Sequence, residues 1–456
     1  MAESYGVTDG VYNDSLGLIQ MLKTYYAKDG LVNLLYRNDP LLKKLKKTRI
    51  VGKNANFSAL YSRGGAVSAN FTVAKSIATK TAKAAEFTVE PGQLFSCCSY
   101  GNRELLMSRA LKGAYINIAQ AKFFASCESF RKTLAVSLYG NGYGKIATLT
   151  SDITFTDGVG TVTLPQYAIM AIDIGTKLVF KKEETDTESS ATVTAEVTAI
   201  DGTTVTLSSD QTTIAYASTP VVCLKGSCDN GPLLPRGLDA WLPAKALSSN
   251  DSFFGVKRSV ARDRLAGTFI DDSSNSDTDY KMYKTLEKGI LALRRMGSLC
   301  DMIVMNDEDY LKLAQEIDEK TRFMKVDGGK KGKATVGYDG FGIAISSNFL
   351  DNVIDSPYCP SGKAYILDSS TVELWTYTNA DKVNDGIADN SAGKPDVSGE
   401  NDAQNKPYQL LVDDMLSITP GEDTINGPAS VVTLSFYGQI VVTNPSVNGV
   451  VLFPSA

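Results

Sequence analysis

Not one histidine occurs in the 456 residues of this chain. That absence removes a great deal of chemistry. Ser-His-Asp and Cys-His nucleophilic sites need an imidazole to take the proton. Common zinc sites use it as a ligand, and general acid–base work near neutral pH relies on it. No apolar run approaches the roughly 20 residues needed to span a bilayer. The start, MAESYGVTDGVYND, lacks the basic segment and apolar centre of a secretion signal. These features point to a protein made and kept in a cytoplasm, with no membrane partner. The seven cysteines are odd in number and contain no CxxC, which reads as small buried thiols in a reducing compartment.

What is present is ordinary for a globular protein, at 43% hydrophobic and 21% charged residues. The length suits about two to three domains. Net charge is −5, which argues against nonspecific nucleic-acid binding by the whole molecule. The distribution is uneven. Residues 37–83 carry eleven Lys or Arg and one acid, Asp39, whereas 379–424 lean acidic. Two opposite blocks suggest contacts between copies of the same chain.

Along the chain, LVNLLYRNDPLLKKLKK (31–47) has helical spacing on both sides of Pro40, so the helix is expected to break at Asp39 and restart through 47. Residues 55–95 read as a long two-stranded ribbon, with strands at 56–61 and 86–90 and too few large apolar residues for a core. Residues 102–139 carry the strongest helix signal, roughly 55 Å long at 1.5 Å per residue; GNGYG at 140–144 ends it. Residues 147–226 switch to period two. Strands are expected at 160–164, 176–181, 191–199, 203–208 and 219–224, with Asp201-Gly202 as a hairpin turn. Helix returns at 277–296, with Leu286, Ile290, Leu291 and Leu293 on a broad apolar face. A strand follows at 300–305, then a helix capped by Asn306. Further strands are expected at 342–346, 364–368, 371–376 and the C-terminus, and 379–407 reads as an acidic surface loop.

Candidate sites mostly dissolve on inspection. GNGYGK (140–145) and GGKKGKAT (328–335) lack the spacing and the Ser or Thr of a phosphate loop. Cys223 and Cys228 form one lone CxxxxC, too little for zinc. The acids of DEDYLKLAQEIDE (307–319) lack the glycine of a calcium loop and suit a helix N-terminus instead. Asn56-Phe57-Ser58 and Asn70-Phe71-Thr72 match a glycosylation sequon without a secretory context. A nucleophilic Cys97 or Cys98 has no general base in view. No enzyme activity, metal or cofactor is expected. What remains is the stretch GPLLPRGLDAWLP (231–243), with three of the fifteen prolines and one of the two tryptophans. Pro235, Leu238, Trp241 and Leu242 are expected to pack there as a rigid joint pinned to the long helix; Trp241 packs within its own subunit or reaches a neighbour, and the first reading is favoured.

The order of parts, with RGLDAWL (236–242), RSVARDRLAGT (258–268), CDMIVMNDEDY (300–310) and GQIVVTNPSVNGV (438–450), resembles the major capsid proteins of tailed bacteriophages, which share the Johnson fold. The resemblance implies an α+β chain in six parts: an N-terminal arm (1–54), an E-loop ribbon (55–95), a peripheral domain with a long spine helix (96–146), an inserted antiparallel β-domain (147–226), the peripheral domain continued (227–340), and an axial domain (341–456). It implies self-assembly as hexamers and pentamers into an icosahedral shell. That shell would enclose double-stranded DNA without sequence-specific binding, in a virion assembled in the host cytoplasm. A separate scaffolding protein and a portal are the expected partners. Lys43, Lys44, Lys46, Lys47, Arg49, Arg63, Lys75, Lys80 and Lys83 become candidates for contacts between subunits. The alternatives are a cellular nanocompartment shell of the same fold and a phage tail or adhesion protein.

Overall fold

The computed structural model describes residues 41, 44–50, 54–62, 67–78, 83–101, 118–188, 193–215, 217–228, 231–249, 251–275, 280–318, 343–345, 348–350, 353–376, 416–423 and 429–454. The chain forms two compact units. The smaller takes residues 1–38, 93–132 and 378–437; the larger takes 39–92, 133–377 and 438–456.

In chain order the main elements begin with β1 (Lys46–Arg49), β2 (Ala55–Ser62), α1 (Phe71–Ala78), β3 (Lys83–Val89), β4 (Gly92–Gly101) and α2 (Ile118–Ser137). A β-rich block follows: β5 (Lys145–Thr148), β6 (Val159–Thr163), β7 (Lys177–Lys181), β8 (Val193–Asp201), β9 (Thr204–Ser208) and β10 (Val221–Leu224). Then come β11 (Thr268–Asp271), α3 (Met282–Arg295), β12 (Met302–Met305), α4 (Asp307–Asp318), β13 (Val353–Asp355), β14 (Lys363–Leu367), β15 (Val372–Thr376), β16 (Leu416–Asp423), β17 (Ala429–Val442) and β18 (Gly449–Leu452).

The β-rich block is a six-stranded antiparallel sheet in the order β5-β10-β7-β8-β9-β6. Its period-two pattern buries Leu178, Phe180, Val197, Val205 and Leu207 on one core. The hairpin between β8 and β9 closes Asp201 onto Thr204, so its turn residues are Gly202 and Thr203, one place later than the Asp-Gly signal suggests. Gly202 has φ +58°, the left-handed conformation that glycine adopts without a Cβ clash.

Elsewhere in the larger unit, a mixed five-stranded sheet runs β11-β18-β14-β12-β13. Helix α3 lies on it through Met282, Leu286, Ile290 and Leu293. A Cβ on Gly289 would meet Ile366 Cδ1 at 2.6 Å and Val451 Cγ2 at 2.9 Å, so glycine lets the helix sit close on this sheet. Leu291, expected on the apolar face, is exposed: it falls on the outer side of the turn. Asn306 caps α4 as its sequence position predicts. Its Oδ1 accepts the Glu308 N–H at 3.0 Å, and its carbonyl accepts the Tyr310 N–H.

The expectation of helix through residue 47 is corrected. Leu45 N–H still bonds to the Leu41 carbonyl, and both leucines are buried. From Lys46 the chain instead pairs in parallel with β15, Lys46 opposite Glu373. The Glu373 carboxylate collects Lys46 Nζ at 2.7 Å, Thr48 Oγ1 at 2.7 Å and Trp375 Nε1 at 2.9 Å, partners that local periodicity cannot reveal. In the same unit β15 pairs antiparallel with residues 438–442 of β17. In the smaller unit, residues 429–436 of β17 pair with β16, and β4 also pairs with β17.

Helix α2 is described from Ile118; the expected start at 102, like the loops at 328–335 and 379–407, lies outside the described residues. The GNGYG stop acts through backbone geometry, with Gly142 at φ +90° and Gly144 at φ +71°. Among the described residues no helix is long and apolar enough to cross a membrane.

Candidate assembly surfaces

The ribbon forms as β2 and β3, antiparallel, from Ala55 opposite Val89 to Ser62 opposite Lys83. Burial fades along it. Phe87 and Val89 at the base are fully buried, whereas Lys83 and Ala84 at the other end are exposed. That gradient marks a ribbon leaving its own body. Beyond the strands, α1 is a helix that the small-residue, Lys-rich composition does not announce. Asn70 starts it: its Oδ1 accepts the N–H groups of Thr72 at 2.9 Å and Val73 at 3.4 Å. The apparent sequon is therefore a helix cap. The other sequon asparagine, Asn56, donates across the ribbon to Glu86 at 3.0 Å.

The far part of the ribbon exposes apolar side chains. Val67 is 95% exposed, Phe71 80% and Leu60 57%, and Val73 is exposed as well. Single exposed apolar residues are common on any protein, but four within fourteen positions form a patch that water does not favour. Lys75 and Lys83 beside them are exposed cations. Of the other contact candidates, Lys44 is exposed and Lys46 is spent within the chain on Glu373. Lys47 and Arg49 lie on β1, and Lys43, Arg63 and Lys80 fall outside the described residues.

The base of the ribbon is held by the Pro-rich joint. Phe57 stacks on Phe87 with ring centroids 5.1 Å apart, and Phe87 packs on Trp241 at 5.4 Å. Phe253 meets Trp241 edge-on at 4.8 Å, and Phe254 lies 5.6 Å away. Each such pair contributes about 0.5–1.5 kcal/mol beyond its area burial. The Phe254 carbonyl accepts the Thr88 N–H, which ties β3 to the cluster, and Arg264 donates to the Tyr61 carbonyl on β2.

All four joint residues are buried. Their anchoring has two parts. The backbone does meet the end of α2: Leu238 N–H bonds to the Leu138 carbonyl at 2.8 Å, and Gly237 N–H to the Gly140 carbonyl. A Cβ on Gly237 would lie 2.1 Å from the Leu138 oxygen, so only glycine permits this approach. Trp241 itself packs on the ribbon base through Phe57 and Phe87. Gln439, fully buried, accepts from the Arg236 N–H at 3.0 Å and donates to the Arg236 carbonyl. Sequence reading missed Phe57, Phe87 and Gln439. The two phenylalanines carry a usable signal, since each sits in a strand-like end of the ribbon; Gln439 carries none.

No disulfide joins any of the seven cysteines. Burial, reinforced by the charges of Cys98 and Glu128, pushes the Cys127 thiol up to about 12. Burial also raises Cys223 to about 12 and lifts Cys359 still further. These thiols are poor nucleophiles. Among the described residues no cluster of Cys, Asp or Glu could hold a metal ion.

By sequence alone, no family model and no curated protein matches the chain. Solved structures do. The cyanophage A-1(L) capsid asymmetric unit aligns over 97% of this chain and 99% of its own, with TM-score 0.55 and 14% identity. A Mycobacterium phage Bobi chain aligns over 96% of this chain and 98% of its own, with TM-score 0.43 and 10% identity. The SrpI encapsulin of Synechococcus elongatus PCC 7942 covers 96% and 94%, with TM-score 0.43 and 7% identity. The two lower scores add nothing to the first. The chain has the α+β Johnson fold of tailed-phage major capsid proteins.

Proposed function

We propose that this protein is the major capsid protein of a tailed bacteriophage, which self-assembles into the icosahedral shell around the genome. The observation that carries the reading is the ribbon. Its base is locked into the larger unit by an aromatic cluster, while its far part presents Leu60, Val67, Phe71 and Val73 to solvent. One copy leaves that apolar surface uncovered; a neighbouring copy in a closed assembly covers it. Exposed Lys44, Lys75 and Lys83 meet acidic neighbour surfaces and set the register of the contact. The near-full-length likeness to a phage capsid chain supports the same reading. The role is structural, without catalysis, and its place is the virion capsid. A scaffolding protein and a portal complete the assembly, and the enclosed double-stranded DNA is packed without sequence readout.

Negative-stain and cryo-electron microscopy of the full chain, with sedimentation velocity, test this. Pentamers, hexamers or closed shells are expected. A chain that stays monomeric at every concentration overturns the proposal, as do fibres or tubes without icosahedral particles.

A further inference from the structure

A cavity of about 540 Å³ lies in the larger unit, walled by the first strand of the β-rich block, the loop after β7 and the Pro-rich joint. Five cationic and three acidic side chains line it, an excess of two positive charges. Two of the cations are satisfied. Arg258 is bidentate on Asp251, at 2.9 and 3.2 Å, and also donates to the Ala240 carbonyl. Lys363 pairs with Asp239 at 3.0 Å.

That leaves Lys145, Lys245 and Arg236 facing a single carboxylate, Glu184. Its two oxygens are split between Lys145 at 3.8 Å and Lys245 at 3.5 Å, both long for charge-assisted bonds. The Arg236 guanidinium carbon lies 4.3 Å from the Phe254 ring centroid and 5.5 Å from that of Phe253. Among the described residues no carboxylate comes within ion-pair distance of it. The aromatic rings hold the guanidinium at the cavity wall, and a planar or tetrahedral oxyanion suits its forked N–H donors. Burial pushes its pKa below the ordinary arginine value, an effect that Tyr143 and Glu90 oppose and Arg258 reinforces. Tyr143 and Ser252 add hydroxyl groups to the wall.

We propose that this cavity binds a small multivalent oxyanion, of the phosphate or polycarboxylate class, held by Arg236, Lys145 and Lys245. An anion there bridges Lys145, at the start of β5, to Arg236 on the joint and Lys245 beyond it. Occupancy therefore ties the β-rich block to the joint, and binding to the folded state alone raises stability by mass action.

The test is isothermal titration calorimetry and thermal denaturation of the full chain with inorganic phosphate and, separately, citrate, against chloride at equal ionic strength. Saturable binding of at least one, with a higher unfolding midpoint, is expected; which of the two binds identifies the class. Arg236→Met keeps the stem over Phe254 and removes the fork, and weakens binding by about tenfold or more. Lys245→Gln, at a side chain 74% exposed, weakens binding less than Arg236→Met does. If Arg236→Met does not fold, Lys245→Gln decides. No saturable binding of either anion overturns the site, and so does unaltered affinity in the variants that fold.

Discussion

Trp241 Nε1 donates to the carbonyl of Ile440 at 2.6 Å, across 199 positions of sequence. This bond joins the Pro-rich joint to the last part of β17, and the same indole forms the floor on which the ribbon base rests. Trp241→Phe keeps much of the ring contact but leaves a buried carbonyl without its donor, at a cost of about 1–3 kcal/mol. Trp241→Ala removes the floor and costs about 3–5 kcal/mol. Chemical denaturation of the unassembled chain measures both; equal stability of the two variants contradicts the division of roles.

Two glycines joined by a backbone hydrogen bond, Gly237 N–H to the Gly140 carbonyl, differ sharply in what surrounds them. At Gly237 a Cβ would sit 2.1 Å from the Leu138 oxygen, against backbone that has no rotamer to yield. At Gly140 the nearest atom is 3.6 Å away. Gly237→Ala is expected to cost about 3 kcal/mol or more, or to give insoluble protein, while Gly140→Ala stays within about 1 kcal/mol of the parent. Thermal unfolding of the pair compares them directly.

The exposed ribbon patch separates folding from assembly. Phe71→Asp and Val67→Asp replace side chains that touch little within the chain, so circular dichroism and the unfolding midpoint stay within about 0.5 kcal/mol of the parent. Assembly carried by this patch is lost, and sedimentation velocity shows capsomers or shells giving way to smaller species. Normal shells from both variants count against the ribbon as a contact.

Thiol reactivity follows burial. Cys97 is exposed, whereas Cys127, Cys223 and Cys359 are buried with raised pKa values. A thiol reagent applied to the unassembled chain at pH 8 modifies Cys97 rapidly. Those three react only as the protein unfolds, and peptide mass mapping against time reads the order.

Acid weakens the hold on β1. Burial alone raises the Glu373 carboxyl, but hydrogen bonds from Lys46, Thr48 and Trp375 and the Lys46 charge bring it below its ordinary value of 4.5. A carboxyl depressed on folding contributes stability that is complete above its unfolded pKa and is lost as pH falls through its folded one. The β1–β15 contact therefore loosens below about pH 4.5. Glu373→Gln lacks that part of the pH dependence, which stability measured against pH in both proteins detects; parallel curves refute it.

Periodicity alone located the β-rich block, α3, α4 and the ribbon strands, because a pattern of two or 3.6 residues is local and each strand or helix repeats it. The Asn306 cap and the glycine stop after α2 were legible for the same reason. The absence of histidine by itself removed imidazole chemistry from the chain. Other features needed the folded chain. Lys46–Arg49 became strand because Glu373, more than three hundred residues away, offers its carboxylate and β15 its edge. Trp241 packs on the ribbon base because Phe57 and Phe87 bring their rings to it from two other strands. The Arg236 cavity arises where Lys145, Glu184 and Lys245 converge from distant segments. In each case the partner is remote in sequence, and burial and charge pairing act on distance in space.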